Sequence, residues 1–290
     1  MSFETVELSP RIGSQVKAPL EQLLDGSLAR ELRVLLEARG VLLFRGLDMS
    51  DKQQLQFGKT LGTPRHEHGT DITKVSSDKK TSPIFAEYTK GTYFFHFDDT
   101  YMQYPALASV LLARTIAPNG GQTEFANTYA IYEDLPEDEK RYLDTLQAVH
   151  SQETIQRKAF PNPTEFQLGL WGEGAIPPTT HPLVWQHASG RKSLLIGETM
   201  SRIVGLESAT SDALVRRILD LAERPEYRYR HDWQVGDLLV WDNTGTMHRV
   251  VPFDLDCGRE LLRVKLAGEE PIMAPGRGSG KTYDISMTSI

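Results

Sequence analysis

Apolar and polar residues repeat with two different periods along this chain, and each period predicts a different kind of element. Leucines between residues 28 and 36 recur at helical spacing, and Gly40 stands where a left-handed residue ends a helix. The apolar run VLLFRG that follows is of strand type. Ser50 is suited to begin a second helix, which should end before Gly62. The chain therefore opens with a helix, a strand and a helix.

The remainder of the chain is dominated by short strand-like runs. Two helices are predicted among them, from LPEDEKRYLDTLQAV and from SDALVRRILDLAER, the second beginning at Ser208 or Ser211. Residues 66–91 and 160–182 show no clear period and are interpreted as two long loop insertions. The predicted strands are TYFFHFDDTY, ALASVLLART, GGQTEFAN, KSLLIG, YRYRHDW, DLLVWDN and ELLRVKLAG.

This order of elements favours a mainly β fold with flanking helices over a parallel doubly wound sheet. We predict a double-stranded β-helix, or jelly roll, made of two facing sheets and interrupted by the two insertions. Residues 1–290 should form a single catalytic domain, with the jelly-roll core at about 41–268. The tail, 269–290, is expected to be flexible, and its GSGK lacks the context of a phosphate loop.

Composition and charge limit the partners, the cysteine chemistry and the compartment that the sequence predicts. A formal charge of -7, with scattered Lys and Arg residues, argues against nucleic acid as a partner. The lone Cys257 excludes an intrachain disulfide and a thiolate metal cluster. The first thirty residues lack the pattern of a signal peptide, and no apolar run reaches the length of a membrane span. Cytoplasmic residence without a membrane partner is the expectation.

A possible metal site lies in FFHFDD, where His96 and Asp98 are two residues apart. Alternate side chains of a strand share one face, so both could address one metal ion. His248 in VWDNTGTMHRV is the best remote candidate for a third ligand. Two histidines and one carboxylate on one side of a metal are the ligand set of non-haem Fe(II) oxygenases. A His-x-Asp pair alone is more often an ordinary polar strand pair.

Together with four further blocks, these residues resemble the taurine dioxygenase (TauD/TfdA) superfamily of Fe(II)- and 2-oxoglutarate-dependent oxygenases. The resemblance runs from about Leu42 to Gly268. The blocks are GGQTEFAN, HPLVW with SGRKSLLIG, GDLLVWDNTGTMHR, and Arg259 with Arg263, eleven and fifteen residues after His248.

The resemblance implies Fe(II) as the metal, with 2-oxoglutarate and O2 as co-substrates. His96, Asp98 and His248 would then be the metal ligands. Thr123 and Arg259 should bind the distal carboxylate of 2-oxoglutarate. Arg263 should lie near its keto-acid end, where it could reach an anionic group of the substrate.

Elementary chemistry agrees with the arginine roles. Arg259 and Arg263 are four residues apart, which places them on one face of a strand, and a guanidinium can grip a carboxylate with two hydrogen bonds. Without the spacing from His248, a pair of surface arginines would be the simpler interpretation. Thr123 is equally explained as a strand former, so its role rests on the resemblance.

Several neighbouring residues have open roles. Asp242 is interpreted as part of a turn that positions His248 and not as a ligand. Asp99 should point away from Asp98 unless a bulge exchanges them, and an added carboxylate near the pocket would disfavour anionic substrates. His66 and His68 are loop residues or, in the alternative, one of them lines the substrate pocket. The aromatic residues around the motif form core or pocket wall.

The predicted reaction is oxidation of a C–H bond of a small organic molecule with release of succinate and CO2. Hydroxylation is the first expectation, and desaturation or cyclisation are not excluded. Two alternatives are a non-catalytic jelly-roll binding protein and a hydrolytic zinc enzyme, although the latter leaves Arg259 unexplained. The sequence identifies no substrate. The resemblance is compatible with a homo-oligomer.

Overall fold

Two sheets face each other and form the predicted jelly roll, with helices packed on the outside. The protein is described from a computed structural model, which covers residues 3–67, 69–76 and 88–275. The helices of these residues are α1 Leu20–Leu24, α2 Ala29–Arg39, α3 Asp51–Leu61, α4 Thr128–Asp134, α5 Glu137–Leu143, α6 Gln152–Ala159, α7 Glu165–Trp171 and α8 Ser208–Ala222, with a 3-10 turn at Thr89–Tyr93.

The strands group into one large sheet and three small ones. The large sheet has the order β1-β2-β3-β13-β5-β15-β4, and the small ones are β12-β6-β14, β11-β7-β8 and β10-β9. The strands are β1 Glu4–Glu7, β2 Ser14–Lys17, β3 Val41–Phe44, β4 Thr73–Ser76, β5 Ala108–Thr115, β6 Thr123–Asn127, β7 Gln147–His150, β8 Thr179–Pro182, β9 Val184–Gln186, β10 Lys192–Leu194, β11 Met200–Ile203, β12 Arg228–His231, β13 Leu238–Asp242, β14 Thr246–Val250 and β15 Glu260–Leu266.

Strand β13 lies between β3 and β5 and is buried on both of its faces. Leu238 and Val240 pack in the cluster formed with α2 and α3, whereas Leu239 and Trp241 pack in the cluster that contains Phe125 of β6. This two-residue alternation follows from the pleat of a strand. The large sheet therefore packs against the helices on one face and against the sheet β12-β6-β14 on the other. The candidate metal ligands lie beside the core between the two sheets.

Helix α2 ends, and helix α3 begins, at the residue that the sequence predicts. Gly40 has a φ of 69° directly after α2, a left-handed conformation that glycine adopts without steric cost. The Ser50 side chain accepts a hydrogen bond from the Gln53 amide, and the Gln53 side chain accepts one from the Ser50 amide. This reciprocal pair caps the start of α3. None of the helices in the described part of the chain is long and apolar enough to span a bilayer.

Three expectations about local structure are wrong. Residues 92–101 form no regular strand; only His96 pairs with a partner, His248, in an isolated bridge. The expected loop 66–91 contains β4, which pairs with β15 at the sheet edge, while residues 77–87 lie outside the described chain. The region 160–182 contains α7 and β8 instead of an irregular excursion.

The described part of the segment after residue 268 makes several tertiary contacts. Glu269 forms an ion pair with Arg33, and the Trp185 indole donates a hydrogen bond to the carbonyl of Pro271. These contacts hold residues 269–275 against α2 and the hairpin β9-β10. Residues 276–290 are outside the described chain.

Candidate metal and co-substrate site

The side chains of His96, Asp98 and His248 converge on one point. One ligand atom from each lies within 4.8 Å of the others, and no other group of this kind occurs in the residues that the structure describes. The Nε2 atoms of His96 and His248 are 3.9 and 3.8 Å from Asp98 Oδ1. These separations leave room for an ion between the three ligands.

Backbone pairing brings the two histidines together although they are 152 positions apart in the chain. The His96 amide donates to the His248 carbonyl at 3.1 Å, and the His248 amide donates to the His96 carbonyl at 2.9 Å. The Nδ1 of His96 is hydrogen-bonded to the Phe94 carbonyl at 2.8 Å. That bond fixes the proton on Nδ1 and leaves the Nε2 lone pair for a metal.

Burial and neighbouring charges hold these groups in the protonation state that metal binding requires. Burial lowers the pKa of His248 to about 3, and it also lowers the pKa of His96. Burial alone would raise the pKa of Asp98, but the positive charges of Lys265 and Arg263 hold it well below its ordinary value. Two neutral imidazoles and one carboxylate are therefore present at neutral pH, as metal ligands must be.

A small cavity of about 70 Å³ adjoins the three ligands and contains Thr123, Arg259 and Arg263. Arg259 is 4% exposed, and its guanidinium donates to the Gly121 carbonyl at 3.2 Å. Burial lowers its pKa to about 10, so it remains a cation at neutral pH. No carboxylate of the described residues pairs with it. A buried cation of this kind is suited to bind an anionic ligand.

The Thr123 hydroxyl is oriented by a buried tryptophan. The Nε1 of Trp233 donates to Thr123 Oγ1 at 3.0 Å. Because that bond occupies the oxygen as an acceptor, the hydroxyl hydrogen is available for a different partner. Thr123 and Arg259 therefore offer donors in one cavity. Sequence reasoning missed Trp233, whose contact with Thr123 spans 110 positions.

A second cavity of about 360 Å³ lies on the other side of His96 and Asp98, which line both cavities together with Arg263. Its walls combine apolar and polar side chains. The residues with apolar or aromatic surface toward it are Tyr88, Phe97, Tyr101, Ile155 and Ile176. The volume suits a small organic molecule next to the metal ligands.

Three charged side chains in the wall of this cavity, Glu67, Asp99 and Lys265, form a closed ion ring with the neighbouring Arg65. Arg65 contacts Asp99 at 2.8 Å and Glu67 at 3.4 Å, and Lys265 lies 3.2 Å from each of the same two carboxylates. We call Arg65, Glu67, Asp99 and Lys265 the ion ring. With two positive and two negative members, the ring is neutral as a whole.

The structure bears on the expectations for Asp99 and for the two loop histidines. Asp99 has a φ of 61°, and its two oxygens accept hydrogen bonds from Arg65 and Lys265, so its charge is balanced within the ion ring. His66 is exposed, pairs with Asp71, and does not line the cavity; Glu67 beside it does. His68 lies outside the described residues. Glu67 and Lys265 carry no recognisable sequence signal, because their role depends on contacts between distant segments.

A third cavity, of about 580 Å³, lies between α2 and the segment after β15. Asp242 lines it and is 4% exposed. Its Oδ1 accepts hydrogen bonds from the amide and the hydroxyl of Thr244, which confirms the predicted turn. Burial raises the pKa of Asp242 to about 6 from an ordinary 3.8. The fold therefore favours the protonated form.

Asp242→Asn should stabilise the metal-free protein at pH 8 and have little effect at pH 4. Because the folded-state pKa is raised, the wild type binds this proton more tightly when folded and loses stability as the pH rises from about 4 through 6. The expected gain is about 3 kcal/mol. Urea denaturation of both proteins at both pH values measures it. An equal difference at the two pH values would contradict the assignment.

Comparison with known proteins agrees with this geometry. Residues 4–265 match the model of the family "Taurine catabolism dioxygenase TauD, TfdA family". The chain is 32% identical to an alpha-ketoglutarate-dependent 2,4-dichlorophenoxyacetate dioxygenase of Burkholderia sp. (strain RASC), over 95% of this chain and 98% of that protein. It is 31% identical to an alpha-ketoglutarate-dependent sulfate ester dioxygenase of Pseudomonas putida, over 97% and 95%.

Solved structures show the same similarity. The structure of AAD-2 in complex with Mn(II) and N-oxalylglycine has a TM-score of 0.80 at 29% identity, over 94% of this chain and 100% of that one. These matches confirm the jelly-roll prediction and the predicted enzyme class, an oxidoreductase that uses Fe(II), 2-oxoglutarate and O2. The roles of single residues remain predictions.

Proposed function

We propose that this chain, which belongs to the taurine catabolism dioxygenase TauD, TfdA family, oxidises a C–H bond of a small monoanionic molecule. The chain is an Fe(II)- and 2-oxoglutarate-dependent dioxygenase, and relatives of this class act on small molecules. The substrate, the roles of individual side chains, and hydroxylation as the outcome are our proposals.

His96, Asp98 and His248 would hold Fe(II). Their ligand atoms meet at one point, which fits a metal ion. Asp98 Oδ2 is buried without a hydrogen bond, and the Arg263 guanidinium lies 3.5 Å from it. Fe(II) held by these three residues would supply the chemistry by which 2-oxoglutarate and dioxygen react.

Arg259 and Thr123 would bind the distal carboxylate of 2-oxoglutarate. Arg259 is the buried cation of the small cavity, and Thr123 has its hydroxyl hydrogen available there. A charge-assisted hydrogen bond from a buried guanidinium is stronger than one in water, because little solvent competes for it. These two side chains would thus orient the co-substrate with its keto-acid end toward the metal ligands.

Arg263 carries the proposal of an anionic substrate. Its Nε is buried and has no hydrogen-bond partner among the described residues. Its terminal nitrogens lie 3.5 Å from Asp98 and 3.9 Å from Glu67, which are long for ion pairs. Because the ion ring is neutral and Asp98 serves the metal, Arg263 is the cation left to meet a substrate group.

An anionic substrate group agrees with the names of two relatives. The names of two relatives include a phenoxyacetate and a sulfate ester, which are anions at neutral pH. For this chain we infer one anionic group bound near Arg263 and an apolar or aromatic body against Phe97, Ile155 and Ile176. The residues around the cavity would exclude water while the C–H bond lies close to the metal ligands.

Small carboxylates, sulfonates and sulfate esters should therefore stimulate succinate formation, whereas their neutral amides or methyl esters should not. Arg263→Gln should lower kcat/KM for the best anion by roughly 30-fold or more, since truncating a buried charge contact costs about 2 kcal/mol or more. Glutamine keeps a polar amide with two N–H donors, but it is shorter than arginine and carries no charge. Equal use of an anion and its neutral amide by the wild type would refute the proposed substrate class.

A further inference from the structure

Asn243, in the turn between β13 and β14, is fully buried and uses its whole side chain on backbone groups. Its Oδ1 accepts from the Asp98 amide at 2.9 Å. Its Nδ2 donates to the carbonyls of Asp98 and Ala106, both at 3.0 Å. One amide side chain thus satisfies both backbone polar groups of Asp98 and connects two distant segments.

Asp98 depends on this contact because no β ladder holds it. Residues 97–99 belong to no strand, and the next residue, Asp99, is left-handed with a φ of 61°. The pairing of His96 with His248 ends one peptide earlier. Without Asn243, the Asp98 amide and carbonyl would be left without their partners, and the peptide could rotate to satisfy them elsewhere.

The turn that carries Asn243 is itself fixed. The Asn243 amide donates to the carbonyl of Leu107, and Thr244 is bound to Asp242 through its amide and its hydroxyl. The hydroxyls of Tyr129 and Ser193 contact Thr244 from the other side. A rigid support of this kind transmits a defined position to whatever the asparagine holds.

We propose that Asn243 is a positioning residue that sets where the Asp98 carboxylate stands relative to His96 and His248. It does not contact the metal, and it acts through the Asp98 peptide. The inference rests on the proposed metal triad and goes beyond it. Its consequence is that metal affinity depends on a residue outside the ligand set, on the hairpin that also carries His248.

Binding of Co(II) alone to the metal-free protein tests this without turnover, by titration of the visible Co(II) absorption. Asn243→Ala and the isosteric Asn243→Asp should each raise the Co(II) Kd by roughly 10- to 100-fold, as losses of groups that orient ligands do. Asn127→Ala is the matched control. Asn127 is 1% exposed and makes two hydrogen bonds to backbone groups, but these involve Arg11 and Ala130.

The control should lower the Tm while leaving the Co(II) Kd unchanged. Combining Asn243→Ala with Asp98→Ala separates positioning from general damage, because residues that act as one unit are not additive. We expect no further weakening by Asn243→Ala once the Asp98 carboxylate is gone. The same weakening in both backgrounds, or wild-type affinity in both Asn243 variants, overturns the inference. Wild-type Co(II) affinity in Asp98→Ala would instead reject the triad itself.

Discussion

Asp98→Ala should reduce Fe(II)-dependent succinate formation below detection and weaken Fe(II) binding by more than about 100-fold. The substitution removes the carboxylate and leaves two neutral imidazoles, whose pKa values are lowered by burial. Loss of groups that merely orient a ligand costs about 10- to 100-fold in metal affinity, so loss of the ligand should exceed this. Anaerobic equilibrium dialysis with Fe(II), followed by a succinate assay, measures both quantities.

Asp99→Asn is the control for that experiment. Asp99 is adjacent in sequence and buried to a similar degree, but its oxygens face Arg65 and Lys265 in the ion ring. We expect Fe(II) affinity within about threefold of the wild type, although substrate binding could change. If Asp99→Asn lost the metal and Asp98→Ala kept it, the two carboxylates would have exchanged roles, as a bulge in the sequence motif would allow.

Arg259→Ala should raise the Kd for 2-oxoglutarate by at least roughly 30-fold. The variant leaves the distal carboxylate of the co-substrate in a buried cavity without its cation, a loss of about 2 to 5 kcal/mol. Part of the turnover should return at high 2-oxoglutarate, because the metal ligands are untouched. Anaerobic titration of the Fe(II) protein with 2-oxoglutarate, followed by its visible charge-transfer absorption, measures the affinity.

Two further variants define the role of Arg259. Arg259→Lys keeps the charge but loses the fork-shaped donor set, so it should recover only part of the affinity. Arg249→Ala is the matched control, because Arg249 lies next to His248 in β14 but pairs with Glu124 and Glu223, away from both site cavities. A 2-oxoglutarate Kd that changes equally in Arg259→Ala and Arg249→Ala would contradict the assignment.

Much of the architecture follows from local sequence. Helix α2 is specified by the spacing of its leucines and by Gly40, and α3 by the reciprocal Ser50 and Gln53 bonds. These signals act within one or two helical turns, so they need no knowledge of the rest of the fold. Strands β5, β13 and β15 are equally evident, because strongly apolar runs have few alternatives to burial in a sheet.

The chemistry was also accessible from sequence, for a different reason. The spacings of His96, Asp98, His248 and the two arginines carry the resemblance to the family, and the fold brings these side chains to two adjoining cavities. The regular strand expected around His96 and Asp98 is absent from this described segment. Asp98 is aimed instead by the His96 and His248 bridge and by Asn243.

Only tertiary structure decided the electrostatics of the candidate substrate cavity. The ion ring joins the segment before β4, the segment after His96 and strand β15. No local sequence pattern predicts that these three segments come into contact. Asp99 suggested a site that repels anions when only the sequence was considered, but in the ion ring its charge is balanced by Arg65 and Lys265. Local propensity and motif spacing fixed the elements and the candidate ligands. The charge of the cavity and the position of the Asp98 carboxylate depend on contacts between distant segments, such as Lys265 with Asp99 and Asn243 with Asp98, 166 and 145 positions apart, which only the folded chain can form.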